Sequence, residues 1–245
     1  MVRTAVAPSV RAKRRPGPAG PAGRSGDDRQ SSRQLIFDAA AREFAAHGFA
    51  GASVDRIAAS ARLNKAMIYY HFGSKAGLYG EILRDMFAAV GSRVRAIAAT
   101  GAPVDDKIRQ FVEAIAIEAE ARPHFPPIWF REIADGGAHL DRDTVHVVAG
   151  IVRTLVSFVH AGVELGVFKP VHPFLVHGGI VGPMLLFFAS GPLRERMQKA
   201  GLTDLQGFDR NTIVEHVQGT TLAVLRGYAA PARARRTSLS SRAKR

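Results

Sequence analysis

Between positions 65 and 75 the chain reads Lys65, Ala66, Met67, Ile68, Tyr69, Tyr70, His71, Phe72, Gly73, Ser74, Lys75, which packs two phenols, an imidazole and two ammonium groups into eleven residues. Such side chains hydrogen-bond phosphate oxygens. Placed on a helix at about 100° per residue, Ile68 and Phe72 fall together and face a core. Ala66 and Tyr70 fall opposite them, with Met67 beside them and Tyr69, His71 and Lys65 on the flanks. Any one of Tyr69, Tyr70 and His71 alone reads as an ordinary amphipathic residue covering a helix pair. The set, at this spacing, reads as a face built to touch something else. Ser74 and Lys75 open the next helix, where backbone amides and an ammonium can clamp one more phosphate.

Other chemistry finds no constellation. The sequence has no phosphate loop, nucleophile elbow, glycine-rich dinucleotide fingerprint or His-Glu-x-x-His. Glu118 with Glu120, and Asp141 with Asp143, are i, i+2 pairs that diverge on a helix. The absence of cysteine removes disulfides, thiolate metal sites and cysteine nucleophiles together. Of His124, His139, His146, His160 and His177, the second and third share a helix face only if one helix runs through Asp141 and Arg142. No carboxylate completes a metal set. The expectation is a non-enzyme with no metal and no cofactor.

These side chains need elements to hold them, and the interior is helical in period almost throughout, without alternating strand-like runs, so the fold class is all-α. A first helix starts near Ser31 or Ser32 and ends at His47, with Gly48 as a left-handed cap and Ile36, Ala40 and Phe44 as its buried stripe. Ser53 opens a second helix carrying Val54, Ile57, Ala58 and Ala61, which stops near Arg62. Asn64 caps a third, which Gly73 ends. Two short helices joined by a tight turn form a helix-turn-helix.

The net charge of +13 points to polyanions, and most of it lies at the two ends. Residues 1–29 contribute +5 and residues 231–245 contribute +6. Residues 30–75 hold six basic and three acidic side chains, and residues 76–230 are near neutral. The organisation expected is a disordered basic arm (1–29), a helix-turn-helix domain (30–75), a helical regulatory and dimerisation domain (76–230) and a disordered basic tail (231–245). Residues 1–29 lack the apolar run of a signal peptide, and the apolar stretch 174–189 is too short and too broken to span a bilayer, so the setting expected is cytoplasmic.

Residues 33–83, with Ala39-Ala40, Phe44, Gly48-Phe49, Ser53-Val54, Ile57-Ala58, Ala61, the run Ile68-Tyr69-Tyr70-His71-Phe72, Ser74-Lys75 and Leu78, resemble the N-terminal DNA-binding domain of the tetracycline-repressor (TetR) family. The resemblance implies a recognition helix at the third position, a helical regulatory domain behind it, a homodimer and a double-stranded operator. Carried over position by position, it puts Ser53 on phosphate and Lys65, Ala66, Met67 and Tyr69 near bases. Tyr70, His71 and Lys75 hold the DNA backbone. The family usually places glycine in the turn where this chain has Arg62. A left-handed conformation there costs roughly 1 kcal/mol, and the guanidinium can reach a phosphate.

In the body, Ser74 caps a long fourth helix through Leu78, Ile82, Phe87 and Val90, whose movement would be the switch. Further helices are expected at 105–121, 128–134 (after the break at Pro123, Pro126 and Pro127), 143–166, 174–190 and 211–228. The resemblance pairs the last two with their twofold mates, and Gly178, Gly179 and Gly182 suit close approach, while 174–190 also reads as an internal core helix. Phe125, Trp129, Phe130, Phe158, Met184, Phe187 and Phe188 are candidates to line a pocket for an unidentified hydrophobic effector, each singly being core as readily as wall. The function expected is a repressor released from its operator by that effector. The competing reading is a non-specific nucleic-acid or membrane-surface binder driven by Arg11, Lys13, Arg14, Arg15, Arg233, Arg235 and Arg236.

Overall fold

The computed structural model describes residues 26–201 and 204–227, and among them there are ten helices and no strand. In chain order they are α1 (Gly26–Gly51), α2 (Val54–Ala61), α3 (Lys65–Phe72), α4 (Lys75–Ala98), α5 (Val104–Ala121), α6 (Phe125–Ala134), α7 (Arg142–Glu164), α8 (Pro173–Ala189), α9 (Gly191–Lys199) and α10 (Arg210–Gly227). The basic arm and tail lie outside the described residues, except that α1 begins at Gly26, ahead of the expected start at Ser31 or Ser32. Ser32 does not cap this helix. It is buried, and its Oγ lies 3.0 Å from His71 Nε2.

Helices α1 to α3 pack on one another, and α1 and α3 on α4, which continues into the body against α5 and α7. α5 is the body's central element, packing against α4, α6, α7, α8 and α10, with Ile108, Phe111 and Val112 wholly buried. One hydrophobic core runs without a break from Ile36 to Leu225. Fully burying a side chain of this size contributes about 1.5–3 kcal/mol, so a core shared by both regions fixes α1 to α3 firmly to α4.

The start of α6 differs from expectation because Pro126 and Pro127 fall in its first turn, as Pro192 does in that of α9. Proline lacks an amide hydrogen that the first turn does not use, so there it begins a helix instead of breaking one. α9, polar and without a buried residue, was not anticipated. α6 ends at Ala134 and α7 begins at Arg142, with Asp141 accepting from the Thr144 amide as its cap. His139 and His146 therefore lie on different elements.

Candidate nucleic-acid interface and effector groove

The turn between α2 and α3 is built by backbone and caps. Arg62 sits at φ 55°, ψ 37°, the left-handed conformation expected of it, and is the only non-glycine residue with positive φ among the described residues. Its amide donates to the Ala59 carbonyl and that of Leu63 to Ala58, at 3.1 and 3.0 Å. Asn64 caps α3 by accepting from the Ala66 amide. Ser53 starts α2 without capping it by its own side chain; Glu43 of α1 accepts from the Ser53 amide (3.0 Å) and pairs with Arg56 (2.5 Å). Burial works to raise the Glu43 pKa, but the Arg56 hydrogen bond and the Ser53 amide bring it below the ordinary carboxylate value. The carboxylate therefore stays ionised and locks α1 to the head of α2.

On α3, Ile68 is fully buried and Phe72 nearly so, while Tyr69 is 46% and Tyr70 64% exposed. Lys65 and Ala66 are exposed beside them. Lys65 pairs with Asp55 of α2 (2.9 Å), and that contact raises its pKa. Met67 is partly buried against the core, and His71 half-buried against Ser32, so these two present less of themselves than the wheel suggests. Lys75 is half-buried, with Nζ 4.8 Å from the Phe49 ring and a long bond to the Ala50 carbonyl. Ser74 caps α4 by accepting from the Gly77 amide. A β-carbon at Gly77 would come within 2.3 Å of the Phe72 carbonyl oxygen, so glycine there lets α4 leave α3 at close quarters.

The junction with the body is polar and buried. Arg131 of α6 donates to the carbonyls of Phe44, Ala45 and Ala46 in α1. A cation suits that end of a helix. The neighbouring Glu132, wholly buried, accepts from the Tyr79 hydroxyl (3.1 Å) and the His139 amide (2.7 Å). Burial, then the charge of Glu132, raises the Tyr79 pKa, so the phenol remains a donor. Neither residue was singled out by sequence reasoning; a charged pair inside the short apolar segment 125–134 was the available signal.

A groove of about 700 Å3 runs between α6, α7 and α8. Of the seven candidates for a pocket wall, Trp129 and Phe130 line it, and Phe125 lies behind Trp129 around a void of about 40 Å3. Phe158, Met184, Phe187 and Phe188 do not line it. The first three are buried core, and Phe187 stacks edge-on against Phe188 and Phe208. The walls are instead aliphatic, with Val145, Val148 and Val152 of α7 facing Val181 and Leu185 of α8. α7 is apolar on two sides, Ile151, Leu155 and Val159 facing the core and the valines facing the groove. On length and composition alone α7 could cross a membrane, but it packs along α4, α5 and α8.

On the other side of α8, Leu175 (71% exposed), Gly179 and Leu186 form an apolar face, continued by Val224 of α10. Among the described residues no group of three or more histidine, aspartate or glutamate side chains is placed to hold a metal ion.

Residues 36–82 match the family model described as bacterial regulatory proteins, tetR family. The HTH-type transcriptional repressor SCO4008 of Streptomyces coelicolor is 37% identical over 106 residues, covering 43% of this chain and 51% of that protein. The HTH-type transcriptional repressor NicS of Pseudomonas putida is 28% identical over 140 residues, covering 56% and 66%. The matches thus span between half and two thirds of those two relatives. Among solved structures, the TetR family transcriptional regulator PfmR from Thermus thermophilus superposes with a TM-score of 0.61 at 22% identity, covering 81% of this chain and 98% of that one. The fatty acid degradation regulator FadR from Bacillus halodurans gives 0.63 at 20%, covering 80% and 97%. At these identities the structural likeness is one of fold. The sequence match thus places a tetR-family helix-turn-helix at residues 36–82, and a likeness of fold extends through the body behind it.

Proposed function

We propose that the chain is a sequence-specific DNA-binding transcriptional regulator, a cytoplasmic homodimeric repressor released from its operator by a small hydrophobic effector. The observation that carries this reading is Tyr70, turned outward on a two-turn helix whose other side is pinned by Ile68 and Phe72. A helix so held offers its first residues to base edges in a major groove and its flanking donors to phosphates. In that role Lys65, Ala66, Met67 and Tyr69 approach bases, and Ser53, Arg62, Tyr70, His71 and Lys75 hold the backbone. The unit at 30–75 does the binding, and the body at 76–230 senses and dimerises.

The exposed apolar face of α8 and α10 supports self-association, since a patch of this kind is costly to leave in water. The groove supports an apolar effector. SCO4008 and NicS, both named transcriptional repressors, support repression over activation. The mechanism is an equilibrium between a dimer that holds its recognition helices at groove spacing and one that does not, with the effector binding the second more tightly.

Selection of bound fragments from random DNA, followed by gel-shift titration at rising salt, tests this against charge-driven binding by the tails. A repressor keeps its preference for one pseudo-palindrome with half-sites about one helical turn apart, or somewhat more if two dimers share an operator. Binding driven by the tails ignores sequence and vanishes with salt. Tyr70→Ala should weaken operator binding about tenfold, the loss of one charge-assisted hydrogen bond, while the dimer elutes unchanged. Unaltered affinity would remove Tyr70 from the interface.

A further inference from the structure

The groove between α6, α7 and α8 is apolar except at one edge. Among the described residues Arg153 is the only charged side chain on its lining, and it also lines the hollow on the other side of α7. One side of α7 is Val145, Val148 and Val152, facing the groove. The other side is a recess of about 500 Å3 where Arg153 is joined by Arg95, His146, Thr154 and Ser157. Among the described residues no aspartate or glutamate lines either hollow. Arg153 thus stands between an oily trough and a second hollow bordered by Arg95, Thr154 and Ser157. Both guanidinium groups are exposed to water, and no carboxylate among the described residues lining either hollow competes with an incoming anion for them. His177 is the other titratable group in the groove, and burial lowers its pKa, which leaves Arg153 as the permanent charge.

We infer that the effector is an amphipathic anion whose aliphatic or aromatic tail fills the groove and whose carboxylate is held by Arg153 at that edge. This rests on the effector-released reading above and narrows it to a chemical class. Val181 and Leu185 of α8 line the groove, while Leu175 and Gly179 lie against Thr220 and Val224 on the face assigned to dimerisation; Gly178 and Gly182, expected at the twofold contact, line the groove instead. A second copy seated on α8 and α10 therefore leaves the groove to a small molecule.

Trp129 is the only tryptophan of the chain and lines the groove, so its emission reports occupancy directly. The full chain is titrated with sodium decanoate and with 1-decanol, which share a tail and differ in head group. Decanoate should bind about tenfold more tightly, the value of one hydrogen-bonded charge at an exposed rim. Arg153→Gln should remove that difference while leaving decanol affinity unchanged. Arg153→Lys should restore part of it, because the charge returns without the two-pronged geometry. Arg153 is exposed, so these variants leave folding intact. Equal affinities for the two probes in the unaltered chain would overturn the anion assignment and leave a hydrophobic effector standing. An emission indifferent to both would overturn the groove as a ligand site. Decanoate binding through Arg153 without release of operator DNA would uphold the site and instead sink the effector role in the proposed function.

Discussion

Replacing Arg62 by glycine separates the backbone of the α2–α3 turn from its side chain, and the two effects have opposite signs. At φ 55°, ψ 37° a β-carbon crowds the following carbonyl, at a cost of about 1–2 kcal/mol. The bonds that close the turn, from the Arg62 and Leu63 amides, belong to the backbone and survive. Glycine relieves the crowding but frees the unfolded chain by about 0.5–1 kcal/mol. The difference leaves Arg62→Gly more stable by about 0.5–1 kcal/mol, or about 1–4 °C in midpoint for a chain of this size. DNA binding moves the other way. If each exposed guanidinium meets one phosphate, its loss lowers the slope of log affinity against log salt by about 0.9 per protomer, hence about 1.8 for a dimer. Thermal denaturation reads the first effect, and anisotropy titrations of a selected operator at several salt concentrations read the second. A variant less stable than its parent would refute the strain argument, and an unchanged slope would refute the phosphate contact.

Two further outcomes concern stability. Burial holds His177 below the ordinary histidine value, and burial together with the Arg122 charge does the same for His124. As the pH falls through about 6.5 the unfolded chain protonates at these sites before the folded one, so stability is retained above that value and declines below it. Urea midpoints should drop between pH 7.5 and 5.5, and replacing both histidines by glutamine should flatten the profile; a midpoint rising on acidification would contradict the assignment. Gly162→Ala would set a β-carbon 2.0 Å from the Phe168 ring, and repacking at that point should cost about 1–3 kcal/mol in chemical denaturation. Parental stability in that variant would mean that the ring turns aside freely.

Much of the frame was legible because caps and core residues act locally. Asn64 and Ser74 each accept the amide bond their side chains suggest, and Ile68 with Phe72 face inward as the helical angle requires. The misplaced start of α6 has a physical cause: Pro126 and Pro127 are breakers within a helix but starters in its first turn, and sequence alone does not say which position they occupy. The groove was harder to read. Phe158, Met184 and Phe187 are large and apolar, yet tertiary packing buries them, whereas the walls are valines that composition cannot distinguish from core. Arg153 gave no signal, because its meaning lies in what α6 and α8 bring alongside it.

Successive residues of α6 look in opposite directions: Trp129, Phe130 and Ile133 toward the groove, Arg131 and Glu132 toward α1, Tyr79 and the loop at His139. Ten residues of helix are about 15 Å long, so the part that would feel a guest and the part that grips the reading head are the same rigid peg. A molecule wedged beside it has no long route to travel. On the proposed function, either the peg stays and the guest fits around it, or the peg turns and takes the last turns of α1 with it, and this one short helix would then be the clutch between sensing and reading.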